Sequence, residues 1–386
     1  MSIGLSTCAL SIGIQHGLAA GVGSFIIGGL ALTAMRPRSD ALYAVFGTGL
    51  ADIFIPSVYA AIEPNDSPEK TALVDAGVVV KNDMLNQLAE TGAKIIDVPF
   101  WNDIDASSAP NLSDDTDTAV TAGKVTANEW RARNAFLNKP YGASDLTVEL
   151  SKTQKGAGSP MTRIKNRYGK YWAKQFQYRV IAGSVGIFNK NVASNSSDMV
   201  YTIAAESTGA QSAATKISAD AVISAAMTMG DTFDVIKVIA MHSAVYAVLA
   251  KLDQITFVKP SDNSMMIPFY LGKRVIVDDG LTVRAGTTSG LVYTTLLLGD
   301  GAFGFGTGTP TMPAEVERQA LQGSGGGTEV IVERKTWLIH PQGWDFISGS
   351  VAGQSATLAE LRLAANWQRP TGIARKSVPM AFLITN

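Results

Sequence analysis

"SPMTRIKNRYGKYWAKQFQYRVIAGSVGIFNK", residues 159–190, is the stretch on which the reading of the whole chain turns. Ser159-Pro160 is a helix start, an N-cap followed by a proline at the first helical position. Met161, Ile164, Tyr168, Trp172, Phe176 and Val180 then recur at spacings of three or four. That predicts one apolar stripe on a helix of about 30 residues, or ~45 Å, which is long for a globular domain. Arg163, Arg167, Lys170 and Lys174 lie at helical spacing on a second face, and no Asp or Glu occurs from Ser151 to Lys190. A cationic face of this kind wants an anionic partner, either phosphate or an acidic protein surface; a plain solvated face is the alternative.

The rest of the chain shows how local that basic stretch is. Lys plus Arg number 32 against 33 Asp plus Glu, a net charge of −1 over 386 residues. The whole molecule is therefore no nucleic-acid-binding polycation. With 46% hydrophobic and 17% charged residues it is a folded protein. Cys8 is the single cysteine, so no intramolecular disulfide forms. His16, His242 and His340 make no H-E-x-x-H pair, which argues against a zinc enzyme. His242-Ser243 are neighbours, but no G-x-S-x-G elbow accompanies them. His242 is expected to cap the following helix, and His340 to sit at a strand kink before Pro341.

Upstream of the helix, Asn82 caps a short helix carrying Met84, Leu85 and Leu88 and ended by Gly92. Lys94 to Trp101 reads as a buried strand. The acidic, turn-rich stretch after it holds Asp103, Asp105, Asp114, Asp115 and Asp117, with Lys124 as its only base. Asp103-x-Asp105-x-Ser107 has calcium-loop spacing, but that motif's glycine and closing Glu are missing. An extended, solvated hairpin is the plainer reading.

Downstream, Ser218 caps a helix, Val235 to Met241 is a buried strand, and Ser243 to Lys251 is a second helix. Ile267 to Asp279 ends in a turn at Asp278-Asp279-Gly280, and Gly323 to Gly327 reads as a flexible loop. Thr328 to Gly349 reads as a strand pair broken at Pro341. A helix over ATLAELRLAANW and a strand over VPMAFLITN close the chain. Gly299-Asp300-Gly301-Ala302-Phe303-Gly304 spells G-x-G-x-x-G after an apolar strand. A dinucleotide turn needs a helix to open at the third glycine. Gly306, Gly308, Pro310 and Pro313 forbid one. The glycines instead predict close backbone approach at a strand, so Gly301 and Gly304 are expected to matter for folding or assembly.

Residues 1–35 carry no charged side chain, and Leu18 to Met35 is an apolar run with Gly17 and Gly21 in G-x-x-x-G spacing. Three readings stay open: a membrane segment, an apolar arm for a partner, or translation beginning at Met35.

Taken in order, the parts resemble a family. These parts are Ala51-Asp52-Ile53-Phe54-Ile55-Pro56, V-P-F-W (Val98 to Trp101), S-P-M-x-x-I (Ser159 to Ile164) and M-H-S-x-V-Y-x-x-L (Met241 to Leu249). V-I-V-D-D (Val275 to Asp279), Y-T-T-x-L (Tyr293 to Leu297), E-x-E-R (Glu315 to Arg318), H-P-x-G-W (His340 to Trp344) and N-W-x-R (Asn366 to Arg369) follow. Each is weak alone. In series over residues 43–386 they resemble the tailed-phage major capsid proteins of the Hong Kong 97 type.

The resemblance implies an α+β chain with an N-arm, an extended loop, a peripheral domain with a long spine helix, and an axial domain. On this sequence the N-arm region would be 43–97, after an apolar stretch 1–42 of open status. The extended loop would be 98–135, and the peripheral domain with the spine helix 136–192. The axial domain would be 193–327, with peripheral strands 328–349 and a C-terminal helix and strand 350–386. It further implies a structural protein, not an enzyme, with no cofactor, metal or small-molecule substrate. Its partners would be copies of itself in pentamers and hexamers, packaged double-stranded DNA without sequence preference, and portal, scaffolding and decoration proteins. Its place would be the virion capsid, assembled in the host cytoplasm. The acidic loop would reach over a neighbouring subunit. The basic helix face would meet either that loop or DNA, and Lys124 is the lysine placed for a Lys–Asn cross-link. A protein-shell nanocompartment of the same fold, or a membrane-tethered surface protein using residues 18–35, remain the alternatives.

Overall fold

The computed structural model describes residues 25–27, 30–32, 73, 76–102, 104, 109–113, 115, 119–151, 159–205, 212–259, 266–286 and 290–386. The motif at Ala51 to Pro56, the loop residues Asp103, Asp105, Asp114 and Asp117, and most of Leu18 to Met35 lie outside them.

In chain order the elements begin with β1 (Phe25–Ile27), β2 (Leu30–Leu32), β3 (Val79–Lys81), α1 (Asp83–Glu90) and β4 (Ile95–Trp101). Then come β5 (Ala127–Ser144), α2 (Asp145–Ser151), α3 (Pro160–Ser194), β6 (Val200–Thr202) and α4 (Ala219–Met227). β7 (Ile236–Met241), α5 (Ser243–Lys251), β8 (Thr256–Val258), β9 (Ile267–Tyr270) and β10 (Lys273–Val277) follow. β11 (Val283–Ala285), β12 (Leu291–Gly299), β13 (Phe303–Gly308), β14 (Ala314–Gln319) and β15 (Thr328–Pro341) are next. β16 (Asp345–Phe346), α6 (Leu358–Leu361), β17 (Trp367–Gln368) and β18 (Met380–Thr385) end the chain.

The chain divides into two compact units. The smaller takes residues 1–63, 140–164 and 316–332; the larger takes the rest. Within the smaller unit, β1 and β2 pair antiparallel, Phe25 opposite Leu32. The Asp145 N–H donates to the Gly327 carbonyl (3.0 Å), and the Asp145 carboxylate pairs with Arg318. Residues 323–327 are therefore a folded turn, not a flexible loop. Gly323, Gly325 and Gly327 supply the positive φ that it needs.

The larger unit holds most of two sheets. One runs β3-β13-β15-β5-β4, with β14 on β15. Strand residues point alternately to its two faces. One face, with Ile96, Val98, Ala132 and Leu338, buries Leu85 and Ala89 of α1. On the other face Trp337 meets Trp172 (5.5 Å) and Phe176 (5.4 Å) of α3, and Phe305 meets Phe176 (4.7 Å), all near-perpendicular ring pairs.

The second sheet runs β6-β18-β12-β7-β10-β9-β8, with β11 on β12. Its face bearing Ile239, Met241, Val275, Leu297 and Leu383 is covered by α4 and α5. Its opposite face, at Phe382, meets Phe188 near the C-terminal end of α3 (5.4 Å).

α3 thus serves both sheets. Its start at Pro160 and its stripe are as the sequence predicts: Met161, Tyr168, Trp172, Phe176 and Val180 are buried. It runs on to Ser194, 35 residues, because its second half is enclosed on most sides; Val180 to Ser184 are buried without a break. A charge network pins its C-terminal end. Asp198 takes both ends of the Arg369 guanidinium at 2.7 Å, and Asn191 adds a 2.6 Å hydrogen bond. Burial alone would push the Asp198 carboxyl up, but Arg369 and Asn191 hold it below its ordinary value. Arg375 Nε donates to the Asp198 carbonyl, and burial brings that guanidinium down to about 10.

The glycines after Leu298 prove to be a bed for a helix. Gly304, Gly306 and Gly308 line the face of β13 turned to α1. A Cβ on Gly306 would stand 2.2 Å from the Leu85 carbonyl oxygen, and one on Gly308 2.6 Å from that of Ala89. On Gly304 the nearest atom is only the Leu85 Cδ1, a movable side-chain end. Gly301 matters differently, through a φ of +68° in the turn.

Ile267 to Val277 is a tight hairpin, turned at Leu271 and Gly272, both with positive φ, as a type I′ turn requires. Three other expectations are corrected. His340 lies inside β15, paired with Gly304, not at a kink. After the break at Pro341, the short β16 pairs with β17 and not with β15. The closing helix shrinks to Leu358–Leu361, capped by a Thr357–Glu360 box. His242 does cap α5, its Nδ1 accepting from the Ala244 N–H at 3.1 Å.

Replacing Gly306 with Ala should force α1 off its bed and cost about 1–3 kcal/mol or more. Gly169→Ala, in exposed α3 with nothing within 4 Å of the added carbon, should instead stabilise by about 0.5–1 kcal/mol. Thermal denaturation of the two variants measures both signs.

Candidate functional site

β4 and β5 form the root of a hairpin, in register from Ile95 opposite Arg133 to Trp101 opposite Ala127. The Asn102 N–H donates to the Thr126 carbonyl (2.9 Å), and its Nδ2 to the Thr126 hydroxyl (2.9 Å). Alternation on β4 explains the strand: Ile96 and Val98 go into the α1 core while Asp97 and Pro99 face out.

The root is fixed from the C-terminal segment. Arg133 donates to the Gly353 carbonyl (2.6 Å) and the Gln354 carbonyl (3.0 Å). Phe136 exchanges hydrogen bonds with the Ser355 hydroxyl, and Asn128 Nδ2 donates to the Thr371 carbonyl (2.8 Å). Arg131 donates its N–H to Asp345 (3.0 Å) and its Nε to Asp97 (2.6 Å). The outer end of the root and the described residues beyond it are open: Trp101 is 73% exposed and Leu112 91%, with Val120 and Val125 also exposed. Asp115 and Lys124 are exposed.

The basic face of α3 is narrower than its spacing suggests. Arg163 and Lys170 are exposed and Arg167 half-buried, but Lys174 is buried. The spacing is right; what covers the helix changes along its length, and by Lys174 it has entered the core. Arg179, on the same segment, is half-buried and donates to the Ala356 carbonyl (3.2 Å). Lys152 and Lys155 lie outside the described residues.

Among the described residues no group of three or more His, Cys, Asp or Glu side chains is placed to hold a metal ion. No helix there is long and apolar enough to cross a membrane.

Two buried titratable groups sit at the hairpin root. His340 stacks on the Trp130 ring of β5 (4.1 Å), and burial drives its imidazole from 6.5 down to about 3. Burial pushes the Asp345 carboxyl from 3.8 up to about 6, against the Arg131 N–H and guanidinium. Their effects on stability oppose each other. As pH falls below about 6.5 the unfolded chain takes up a proton at His340 and the folded chain does not, so the fold loses stability down toward pH 3. At Asp345 the folded chain binds its proton first, so the fold loses stability as pH rises from about 4 to about 6. Removing one group should expose the other. His340→Phe, which keeps the stack, should grow more stable on acidification across that window, whereas Asp345→Asn should lose stability more steeply than the parent. Denaturant melts across the window test this; parallel curves for all three proteins would contradict it.

No family model matches the chain. The major capsid protein of Bacillus phage SPP1 is 33% identical over 331 residues, covering 83% of this chain and 94% of that protein. The capsid of cyanophage Pam1 aligns in structure with a TM-score of 0.50 at 8% identity, over 83% of this chain and 92% of the other. The SrpI encapsulin of Synechococcus elongatus aligns at 0.43 with 10% identity, over 81% of this chain and 86% of its own, a score too low to carry weight. The chain belongs to the phage major capsid proteins, with the α+β Hong Kong 97-type fold, and its place is the capsid of the virion.

Proposed function

We propose that copies of this chain gather as pentamers and hexamers into a closed icosahedral head around double-stranded DNA, each hairpin reaching over a neighbouring copy. The observation that carries this is the contrast along one hairpin. Its root is held by at least six hydrogen bonds to residues 345–371, while Trp101, Leu112, Val120 and Val125 stand open to solvent. An arm rigid at its base and apolar toward its tip is suited to bury that tip on a second copy. In this reading the six-stranded sheet with the first half of α3 is the peripheral domain. The eight-stranded sheet is the axial domain, gathered around the shell's axes.

Charge supports the same contact. The arm's acids (Asp103, Asp105, Asp114, Asp115 and Asp117) and the cations Arg163, Arg167 and Lys170 are self-complementary between copies. Each exposed pair is worth only about 0–1 kcal/mol, but a shell repeats it many times. The same cations facing inward would screen packaged DNA. Lys124, exposed on the arm, is placed to attack the side-chain amide of a neighbour's asparagine, releasing ammonia. A ladder on a denaturing gel supports that bond, and clean monomer ends it. Portal, scaffolding and decoration proteins would be further partners of the shell.

Leu112→Ser with Trp101→Ser should leave a folded subunit that no longer forms shells, read by negative-stain microscopy and sedimentation. Shells of normal yield would overturn the arm's role. Truncating Arg163, Arg167 and Lys170 to Ala separates the two uses of the helix face. Normal shells with lower DNA retention mean a genome contact; failed assembly means a lattice contact. Lys174→Ala, by contrast, should lower thermal stability through lost packing of its buried stem.

A further inference from the structure

The eight-stranded sheet carries an exposed apolar patch at each end of its strand order. At one end α4 packs on β18 and β6. Its inner stripe, Ala221, Val222, Ala225 and Ala226, is buried in the core. Its outer stripe is Asp220, Ile223 and Met227, at spacings of three and four; all are exposed, the last two at 47% each. At the other end β8 is the terminal strand among the described residues. All three of its residues, Thr256, Phe257 and Val258, are exposed, as are Leu252 before it and Met266 after it.

Within one copy these patches cannot cover each other, because four strands, β12, β7, β10 and β9, lie between β18 and β8. They also differ in kind. One is a convex helix stripe, the other a strand edge, the element that proteins ordinarily cover or blunt. Their charges differ as well. Asp220 is the only charged residue of α4, on the outer stripe itself. β8 is flanked by Lys251 and Lys259, with Asp253 as the one acid between Lys251 and the strand; all three are exposed. A like-with-like contact would set each patch against its own copy, Asp220 toward Asp220 or Lys259 toward Lys259. A head-to-tail contact sets apolar against apolar and acid against base. A contact between two different surfaces repeats by rotation, and when the rotation closes it makes a ring.

We infer that the outer stripe of α4 in one copy docks against the β8 edge of the next, a head-to-tail contact that closes the five- and six-membered rings of the shell. This rests on the shell reading above and adds the surfaces and the polarity of the contact. Ile223 and Met227 meet Phe257 and its neighbours, and Asp220 faces Lys259.

The test uses the full chain with its single cysteine, Cys8, replaced by Ser. Ile223→Cys, Phe257→Cys and the double variant are assembled, treated with a short bismaleimide and run on a denaturing gel. The double variant should give a ladder reaching five and six copies, and each single variant should stay monomeric. Dimers from a single variant would mean a like-with-like contact and would overturn the inference. So would a double variant that stays monomeric inside shells seen by microscopy. Charge exchange is the independent arm. Asp220→Lys and Lys259→Asp should each cut assembled yield about tenfold, and the two together should restore it; no restoration overturns the pairing. Absence of shells from the parent chain would instead bring down the shell reading, and this contact with it.

Discussion

The two large sheets among the described residues each pack one face on the same helix. In its first half α3 packs Trp172 and Phe176 on the six-stranded sheet through Trp337 and Phe305; near its end it packs Phe188 on the eight-stranded sheet through Phe382. Trp172, Phe176, Trp337 and Phe382 are buried, and truncating any one of them to Ala costs about 3–5 kcal/mol in a well-packed core. Gly186 lets the helix come close to residues 361–367. A Cβ on Gly186 would stand 2.1 Å from the Leu361 carbonyl oxygen and 2.2 Å from the Trp367 indole nitrogen. The helix is therefore less a surface element than a shared core, and the Asp198–Arg369–Arg375 network fastens its far end.

From that core the functional parts follow by geometry. β13 lies between two helices, its Phe303 and Phe305 toward α3 and its glycines toward α1. α1 in turn buries the inner residues of the hairpin root. The root is held from the other side by backbone carbonyls at 353–354 and by Asp345. A subunit that must meet neighbours in a lattice gains from an arm whose base does not move, because little conformational freedom is then lost on contact.

Much of this was legible from residues. α3 announced itself by a Ser-Pro cap and an unbroken apolar stripe; the hairpin root by a strand running into a polar, acidic stretch; the absence of a nucleotide turn by the glycines and prolines after Gly304. The family was legible only from many weak motifs in order. What stayed hidden has physical causes. Arg133 is satisfied by carbonyls more than 200 residues away, which no local pattern marks. Lys174 keeps the spacing of a solvated face while the structure closes over it. Leu271 takes the left-handed conformation beside Gly272, although leucine gives no turn signal. Asp345 and His340 read as ordinary polar residues, and only burial sets their proton affinities.

The central claim is that the two sheets are one cooperative structure because they share α3. Hydrogen exchange of a Phe176→Ala variant tests it most directly, since Phe176 packs on the six-stranded sheet through Phe305 and Trp337. Shared cooperativity predicts faster exchange, by the same factor, in β13 and β15 and in β12 and β18. Loss of protection confined to β13 and β15, with β12 and β18 unchanged, would contradict it.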